Sequence, residues 1–183
     1  MGQAEVLHLS GITQAISHSA REAAAAAMAA ARTAGVRVSY DPNLRLALWP
    51  LEEARPVILD AVARADIALP GLEDARALLG LDDPHAIVAD LRSRGAQIVA
   101  LTLGPDGVLV GAGDEIAHVR GVAVDAVDAT GAGDCFDGAF LARLAQGDGP
   151  RAAARYAATA ASLSTTGHGA VAPIPRPAQV RAA

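Results

Sequence analysis

The sequence predicts a doubly wound α/β domain, in which helices cover a parallel sheet that ends in an antiparallel edge hairpin. Through the first hundred residues short aliphatic runs alternate with helical patterns, which is the βαβα order of a parallel sheet. From about residue 102 two short runs are separated by glycine-rich turns, which is typical of a hairpin. Of the 183 residues 52% are apolar and only 3% aromatic, so the core must be aliphatic, as in a buried parallel sheet.

The first strand, helix and strand follow from local signals. Val6–Leu9 is a short apolar run, and the Ser19 and Glu22 pair has the spacing of a capping box. The Ala-rich helix that this box opens is predicted to end near Ala34, because Gly35 sits where a terminating glycine belongs. Val36–Tyr40 is the second strand, and a strand that returns through one helix pairs in parallel with the first.

The remaining elements are predicted from periodicity and from turn residues. Pro50 suits the first turn of the next helix. Phe136, Phe140 and Leu144 recur at helical spacing after residue 131. The predicted helices cover about 51–64, 72–79, 83–95, 131–145 and 151–164, and the predicted strands 67–69, 98–102, 108–110, 115–119 and 122–124. Residues 1–175 are predicted to form one domain, and the Pro-rich residues 176–183 an extended or frayed tail.

Charge and composition exclude several classes of protein. The net charge is −5 without a basic block, so a nucleic-acid surface is not expected. All 15 basic residues are Arg, and a chain without Lys can contain neither a Walker A motif nor a Schiff-base lysine. The longest apolar stretch is too short to span a membrane. The single cysteine, Cys135, favours a reducing compartment, and the cytoplasm is the predicted location.

The tetrapeptide Gly-Ala-Gly-Asp occurs twice, in different predicted contexts. Gly111–Asp114 lies between two strands and is predicted to be a hairpin turn. Gly131–Asp134 lies at the start of a helix, where backbone N–H groups lack intrahelical partners and the helix dipole favours an anion. Local chemistry leaves two interpretations of Asp134: a first-turn acid that stabilises the helix, or a positioned base.

The wider context of the second copy separates these interpretations. The segment "VDATGAGDCFDGAF", from Val127 to Phe140, resembles the second signature of the pfkB, or ribokinase-like, carbohydrate kinases. Residues 102–107, "TLGPDG", resemble the nucleotide-site turn of that family, and residues 167–170 resemble its adenine-side loop. "LHLSGIT" and "YDPNLRLALW" resemble its 2-keto-3-deoxygluconate kinase branch. The resemblance covers about Val6 to Pro175.

The resemblance implies a ribokinase-like, Rossmann-type fold and an ATP-dependent transfer of the γ-phosphate to a hydroxyl of a sugar or sugar acid. It makes Asp134 the catalytic base, in contact with the substrate hydroxyl, and Gly131, Ala132 and Gly133 the anion hole. It assigns nucleotide binding to Thr102, Gly104, Gly107, Asn43 and Arg45. Arg45 is also the candidate partner of a substrate carboxylate, because a guanidinium binds such a group through two hydrogen bonds.

Cation sites are implied less directly. Asp128 matches the position that holds a monovalent cation such as K⁺ in some members, although Pro173 stands where some have a ligating Ser. Many relatives carry an Asn-x-x-Glu motif that helps to hold Mg²⁺, and the corresponding positions here are Gly71 and Asp74. Asp74 is therefore a candidate ligand of Mg²⁺ through a water molecule, whereas Gly71 has no side chain to contribute.

Other interpretations stay open at this point. Family members are much longer, and their N-terminal strands and lid have no counterpart here, so we expect a C-terminal portion that binds nucleotide poorly and phosphorylates nothing alone. A non-catalytic chain that keeps the anion-binding fold is the alternative, as is ribokinase- or fructokinase-type specificity. A homo-oligomer is also possible. A dinucleotide-binding dehydrogenase is disfavoured, because no Gly-x-Gly-x-x-Gly follows Val6–Leu9.

Overall fold

The computed structural model of the chain describes residues 4–183, so residues 1–3 of the predicted domain lie outside the described part. The described strands are β1 (Val6–Ser10), β2 (Arg37–Asp41), β3 (Ile67–Ala68), β4 (Ile98–Thr102), β5 (Val108–Ala112) and β6 (Glu115–Val119). The described helices are α1 (Gly11–Ile16), α2 (His18–Thr33), α3 (Leu51–Arg64), α4 (Leu72–Leu79), α5 (Pro84–Ser93), α6 (Ala132–Ala145), α7 (Pro150–Ser164) and α8 (Pro177–Ala182).

The chain divides into two compact units, which are described separately. The first unit contains the residues up to Leu101 together with Gly111–Glu115. The second contains Thr102–Val110 and Ile116–Ala183.

The parallel strands of the first unit pair in chain order. Strand β1 pairs with β2 so that Leu7 faces Val38, and β2 pairs with β3 so that Ser39 faces Ile67. Ile67 in turn faces Ile98 of β4. Helices α2 and α3 provide the parallel crossovers between β1, β2 and β3. The central strands are buried, as a parallel sheet covered by helices requires.

The second unit contains the C-terminal helices and the hairpin apart from its tip, since Gly111–Glu115 belongs to the first unit. Strands β5 and β6 are neighbours joined by the two residues Gly113 and Asp114, a connection short enough to impose antiparallel pairing. Helix α6 packs against α7, and α7 packs against α8. The predicted apolar face of α6 is confirmed, because Phe136, Phe140 and Leu144 are all buried. The predicted α/β class, with parallel strands and an antiparallel hairpin, is confirmed.

The start of the chain differs from its prediction. Residues 11–16, for which no element is predicted, form α1. The cap of the following helix is Ser17 rather than Ser19, since the Ser17 hydroxyl accepts the Ala20 N–H at 3.1 Å. Ser17 is extended, ends α1 and begins α2, so the predicted capping box is wrong in position. The other end of α2 is as predicted, with Gly35 at a φ of 68°.

Two predictions near the end of the chain are also wrong. Residues 122–124 form no strand, because three small apolar residues that stay half-buried or exposed offer too little surface to hold one. The tail is helical from Pro177 to Ala182. Pro177 occupies the first helical position, where its missing N–H costs nothing, and the buried Val180 packs the helix down.

Only the second half of the first Gly-Ala-Gly-Asp segment forms the predicted turn. Gly111 and Ala112 belong to β5, and the turn is confined to Gly113 and Asp114. Close packing leaves no room for a side chain at Gly111, because a Cβ there would lie 2.5 Å from Val88 Cγ1. Among residues 4–183, no helix is both long enough and apolar enough to cross a bilayer.

Candidate active site

The second Gly-Ala-Gly-Asp segment starts helix α6 in a conformation that requires glycine. Gly131 is the N-cap with φ 77° and has no capping side chain. A Cβ on Gly131 would lie 2.7 Å from Ala170 Cβ, so both backbone conformation and packing exclude a side chain. Behind this turn the helix is packed into the core by the buried Phe136 and Phe140, whose ring centroids are 5.7 Å apart.

The N–H groups of this turn are not equivalent. The Ala132 N–H donates to the Ala129 carbonyl at 3.1 Å, so an anion would compete with that carbonyl. Gly133 and Asp134 occupy the first helical turn, whose N–H groups have no carbonyl within the helix. A Cβ on Gly133 would meet nothing within 4 Å, so the space beside this backbone is open to a ligand such as a phosphate group. The Asp134 carboxylate is exposed at the same turn.

Asp128 connects this turn to the loop after α7. Its Oδ1 accepts hydrogen bonds from the Thr130 N–H at 2.9 Å and the Thr130 hydroxyl at 2.6 Å. Its Oδ2 accepts the Gly169 N–H at 2.8 Å. These bonds, the Thr130 hydroxyl foremost, lower the pKa of Asp128 from 3.8 to about 2. Asp128 is therefore a carboxylate anchored by its own chain.

The predicted nucleotide turn forms within the second unit. Residues Gly104–Asp106 make one 3-10 turn, closed by the Gly107 N–H on the Gly104 carbonyl at 3.1 Å. Gly107 has φ 95°, and a Cβ there would lie 2.2 Å from the Val119 carbonyl oxygen. Gly104 has φ 62°, and a Cβ there would meet nothing within 4 Å, so it faces open space. Thr102, which ends β4, is half-buried.

The first unit carries the other predicted residues on the loop after β2. Asn43 is the described non-glycine residue with a positive φ, 36°, and its N–H donates to Asp41 Oδ1 at 3.0 Å. Arg45 is exposed, and its guanidinium donates to the Leu44 carbonyl at 2.9 Å. The loop ends at Trp49, which is buried beneath Arg21 with its centroid 5.1 Å from the guanidinium carbon.

Asp74 of α4 holds this loop from the other side. Its Oδ2 accepts the Leu44 N–H at 2.9 Å. Burial raises the pKa of Asp74, and the Leu44 hydrogen bond and the Arg45 charge oppose that rise. Gly71, three residues earlier, is the N-cap of α4 without a capping side chain. The structure thus brings Asn43, Arg45 and Asp74 together at one loop.

Several contacts of the site were missed by sequence reasoning. Gly169 and Ala170 were predicted only as part of a nucleotide loop, yet they contact Asp128 and Gly131. Gln14 of α1 accepts a hydrogen bond from the buried Tyr40 hydroxyl, just before the Asn43 loop. Asp128 and Gly169 are 41 positions apart, and no sequence pattern links residues at that separation. The only local signal was the pair of glycines at 167 and 169, which indicates a loop with an unusual backbone conformation.

The described part of the chain contains no evident metal-binding cluster. Within residues 4–183 there is no group of three or more His, Cys, Asp or Glu side chains arranged to hold a metal ion. Cys135 is half-buried beside Ser164, and burial raises the pKa of its thiol, so the residue lies in a packed environment.

Comparison with protein families identifies the chain. A model described as "pfkB family carbohydrate kinase" matches residues 1–177. The chain belongs to the pfkB family of carbohydrate kinases. The resemblance seen in the "VDATGAGDCFDGAF" segment is therefore confirmed by a match along nearly the whole chain.

Individual pfkB relatives extend this result. The 2-dehydro-3-deoxygalactonokinase of Haloferax volcanii is 34% identical over 168 residues, covering 91% of this chain and 53% of the relative. The 2-dehydro-3-deoxygluconokinase of Thermoproteus tenax is 35% identical over 185 residues, covering 98% of this chain and 55% of the relative. The chain spans about half the length of these curated relatives.

Solved structures of the family have the same fold. The fructokinase of Vibrio cholerae O395, in a form with fructose, ADP and calcium ion bound, matches with a TM-score of 0.91 and 31% identity. The match covers 98% of this chain and 60% of the fructokinase. A PfkB protein from Polaromonas sp. JS666 matches with a TM-score of 0.88 and 33% identity, covering all of this chain and 58% of that protein.

Proposed function

We propose that this chain carries the phosphate-binding turn and the base of an ATP-dependent carbohydrate kinase site. The observation that carries the proposal is the start of α6, where an exposed Asp134 stands beside an open glycine turn. Phosphoryl transfer asks a protein mainly to position its reactants and to stabilise charge. A helix N-terminus supplies that stabilisation without lysine, in keeping with a chain whose basic residues are all Arg.

The proposed roles follow from these positions. Asp134 accepts the proton of the substrate hydroxyl as its oxygen bonds to the γ-phosphorus of ATP and ADP leaves. The N–H groups of Gly131, Ala132 and Gly133 face the transferred phosphoryl group, with Ala132 first releasing the Ala129 carbonyl. Thr102, Gly104 and Gly107 line the nucleotide side. These roles rest on position within the family motif and on the open space beside Gly133.

The substrate class proposed is a sugar acid. Arg45 is exposed on a loop that Asp74 ties down, and a guanidinium on a restrained loop suits a carboxylate of the substrate. Two relatives of the chain are named as kinases of 2-dehydro-3-deoxy sugar acids, which supports this class. Relatives named as fructokinases keep a neutral sugar as the second candidate.

Two carboxylates, Asp74 and Asp128, are the candidate cation ligands. Asp74 is the proposed ligand of Mg²⁺ through a water molecule, and its Oδ1 is the oxygen for that role because Oδ2 accepts the Leu44 N–H. Mg²⁺ would neutralise phosphate charge when bound. The cation role of Asp128 stays a prediction, since three protein donors already occupy its carboxylate. A homo-oligomer and a cytoplasmic location likewise stay predictions.

The test compares the two copies of the tetrapeptide. ATP binding by calorimetry and ADP release with 2-keto-3-deoxygluconate, 2-keto-3-deoxygalactonate and fructose are measured for the 183-residue chain. Asp134→Asn should strengthen ATP binding, because it removes a negative charge beside the phosphates, and should abolish any turnover. Asp114→Asn, in the hairpin, should change neither quantity.

The outcomes separate the candidates. Binding that responds to Asp134 without turnover on any sugar supports the phosphate-binding turn, and it is expected both of a C-terminal portion of a kinase and of the non-catalytic alternative. Turnover that survives Asp134→Asn removes Asp134 as the base. The proposed site is overturned if Asp134→Asn and Asp114→Asn change ATP binding equally. It is also overturned if the unaltered chain binds no ATP.

A further inference from the structure

The end of strand β6 and the two residues after it lie against the predicted nucleotide turn, and we name residues 118–121 the strap. His118 is exposed, and its Nε2 lies 2.7 Å from the Asp106 carbonyl oxygen in the turn. Because a carbonyl oxygen only accepts, Nε2 carries the hydrogen and donates it. The strap and the turn, residues 104–107, both belong to the second unit.

Two glycines let the strap and the turn approach each other closely. A Cβ on Gly107 of the turn would lie 2.2 Å from the Val119 carbonyl oxygen and 2.6 Å from the Gly121 nitrogen. A Cβ on Gly121 of the strap would lie 3.4 Å from the Pro105 carbonyl oxygen and 3.4 Å from Ser162 Oγ of α7. With the His118 bond, the strap therefore contacts every residue of the turn except Gly104.

The turn does not select its own shape. Gly104 has φ 62° and Gly107 has φ 95°, and glycine adopts positive and negative φ about equally. The turn is closed by the Gly107 N–H, which donates to the Gly104 carbonyl at 3.1 Å. A contact from outside the turn is therefore needed to favour this conformation over others.

The His118 bond supplies that contact at the peptide group that closes the turn. The Asp106 carbonyl and the Gly107 N–H belong to the same peptide group, which is planar and trans, so they point in opposite directions. Holding the carbonyl on His118 aims the N–H away from the strap and at the Gly104 carbonyl. Gly104 itself is left beside open space, since a Cβ there would meet nothing within 4 Å.

We propose that His118 is a positioning residue for nucleotide binding, which holds the Asp106–Gly107 peptide so that the turn stays closed and presents Gly104 to the nucleotide. This role requires no contact between His118 and the nucleotide. The proposal rests on the proposed function for its consequence in ATP binding. The bracing of the turn does not depend on that function.

The alternative is a surface hydrogen bond that leaves the turn unaffected. An exposed bond between neutral groups adds little to the free energy of unfolding, so unfolding experiments do not separate the two roles. The tautomer of the ring and the exchange of the turn amides do. A neutral imidazole carries one proton on either nitrogen, and only Nε2–H allows the bond to Asp106.

The first measurement is NMR of the 183-residue chain without nucleotide. At about pH 9, where histidine is neutral, the ring ¹⁵N shifts of His118 should show the proton on Nε2. His118→Phe should speed hydrogen exchange of the Gly107 amide about fivefold or more, because the group that orients its peptide is lost. His118→Gln keeps an N–H donor of similar reach and should restore most of the protection. His85→Phe, at an exposed histidine of α5, is the matched control and should leave the Gly107 amide unchanged.

The second measurement is ATP affinity of the same chains by calorimetry. We expect binding to weaken about threefold or more in His118→Phe, because a turn that must be ordered on binding lowers affinity. His118→Gln should recover most of this loss, and His85→Phe should bind as the unaltered chain does.

Each outcome bears on a separate part of the proposal. A proton on Nδ1 of His118, or unchanged Gly107 exchange in His118→Phe, overturns the bracing of the turn. Faster exchange with unchanged ATP affinity overturns the positioning role in nucleotide binding. If the unaltered chain binds no ATP, the proposed function fails, and the tautomer and the exchange rates still decide whether His118 braces the turn.

Discussion

The Leu44 N–H donates to Asp74 Oδ2 at 2.9 Å, and so ties the loop that carries Arg45 to the first turn of α4. The two residues are 30 positions apart, and Leu44 is buried. Leu46 and Leu48 of the same loop face solvent, and they are 56% and 51% exposed. Asp74 therefore has a structural role that is separate from any metal.

Substitution of Asp74 should show this role as a pH-dependent effect. Burial raises the folded-state pKa of Asp74 above 3.8, so the folded chain holds a proton over a range of pH in which the unfolded chain has lost it. Stability from this group is complete below 3.8 and falls as pH rises toward the folded pKa. Asp74→Asn keeps an acceptor for Leu44 without the charge, so it should be at least as stable as the unaltered chain at about pH 7.

The measurement is urea unfolding of both chains between about pH 3.5 and pH 7. The advantage of Asp74→Asn should shrink as the pH falls, because the unaltered carboxyl becomes neutral as well. Asp74→Ala leaves the buried Leu44 N–H without an acceptor and should cost about 1–3 kcal/mol, with the larger cost at low pH, where the unaltered carboxyl is neutral. An advantage of Asp74→Asn that grows toward low pH would show that the pKa of Asp74 is lowered instead.

The two glycine turns provide a matched pair for the strain at Gly131. Gly113→Ala places a side chain at φ 55° in open space, so it should cost only the left-handed penalty of about 1–2 kcal/mol. Gly131→Ala adds a clash with Ala170, and overpacking of this kind costs about 1–3 kcal/mol more. Denaturant unfolding of both variants measures the difference. Ala170→Gly in the Gly131→Ala background should recover only a part of this added cost, because Ala170 Cα would still lie 3.0 Å from the new Cβ. Equal costs for the two single variants would contradict the docked loop.

The Tyr40 and Gln14 pair should behave as a coupled unit. Tyr40 is fully buried and Gln14 is 4% exposed, and the Tyr40 hydroxyl donates to the Gln14 side-chain oxygen. Tyr40→Phe removes the donor and leaves a buried amide oxygen unpaired, at a cost of about 1–3 kcal/mol. Adding Gln14→Leu should return most of that stability, since both polar partners are then gone. Additive losses in the double-mutant cycle would show that the two groups act independently.

Cys135 should react slowly with thiol reagents although it lies near a helix N-terminus. Burial raises the pKa of its thiol above 9.0, and the hydrogen bond with Ser164 only partly offsets this. Alkylation by iodoacetamide at about pH 7.5 should therefore be much slower in the folded chain than in the urea-unfolded chain. Ser164→Ala should slow it further by removing the group that lowers the pKa. Folded-state alkylation as fast as that of the unfolded chain would contradict the packed environment.

Predictability differed between elements for physical reasons. Helix α3, from Leu51 to Arg64, matches its predicted bounds, and so does α4 before Gly80, because local periodicity and terminating residues set them. Helix α1 was missed because six residues carry too little periodicity to register. The prediction of an extended tail was wrong because a proline can begin a helix or interrupt one. Here the helix that begins at Pro177 is held by the buried side chain of Val180, whose burial depends on the tertiary structure.

The sequence by itself determined which Gly-Ala-Gly-Asp copy begins a helix and which closes a hairpin, because flanking residues within one or two turns decide that. It also placed Asp134 in the first turn of α6, where the structure shows it exposed. Only the tertiary structure decided that Asp128 holds Gly169 and that Asp74 holds Leu44, since these partners are 41 and 30 positions apart. A hydrogen bond of about 3 Å depends on where the backbone places both groups, and that placement follows from the packing of whole elements.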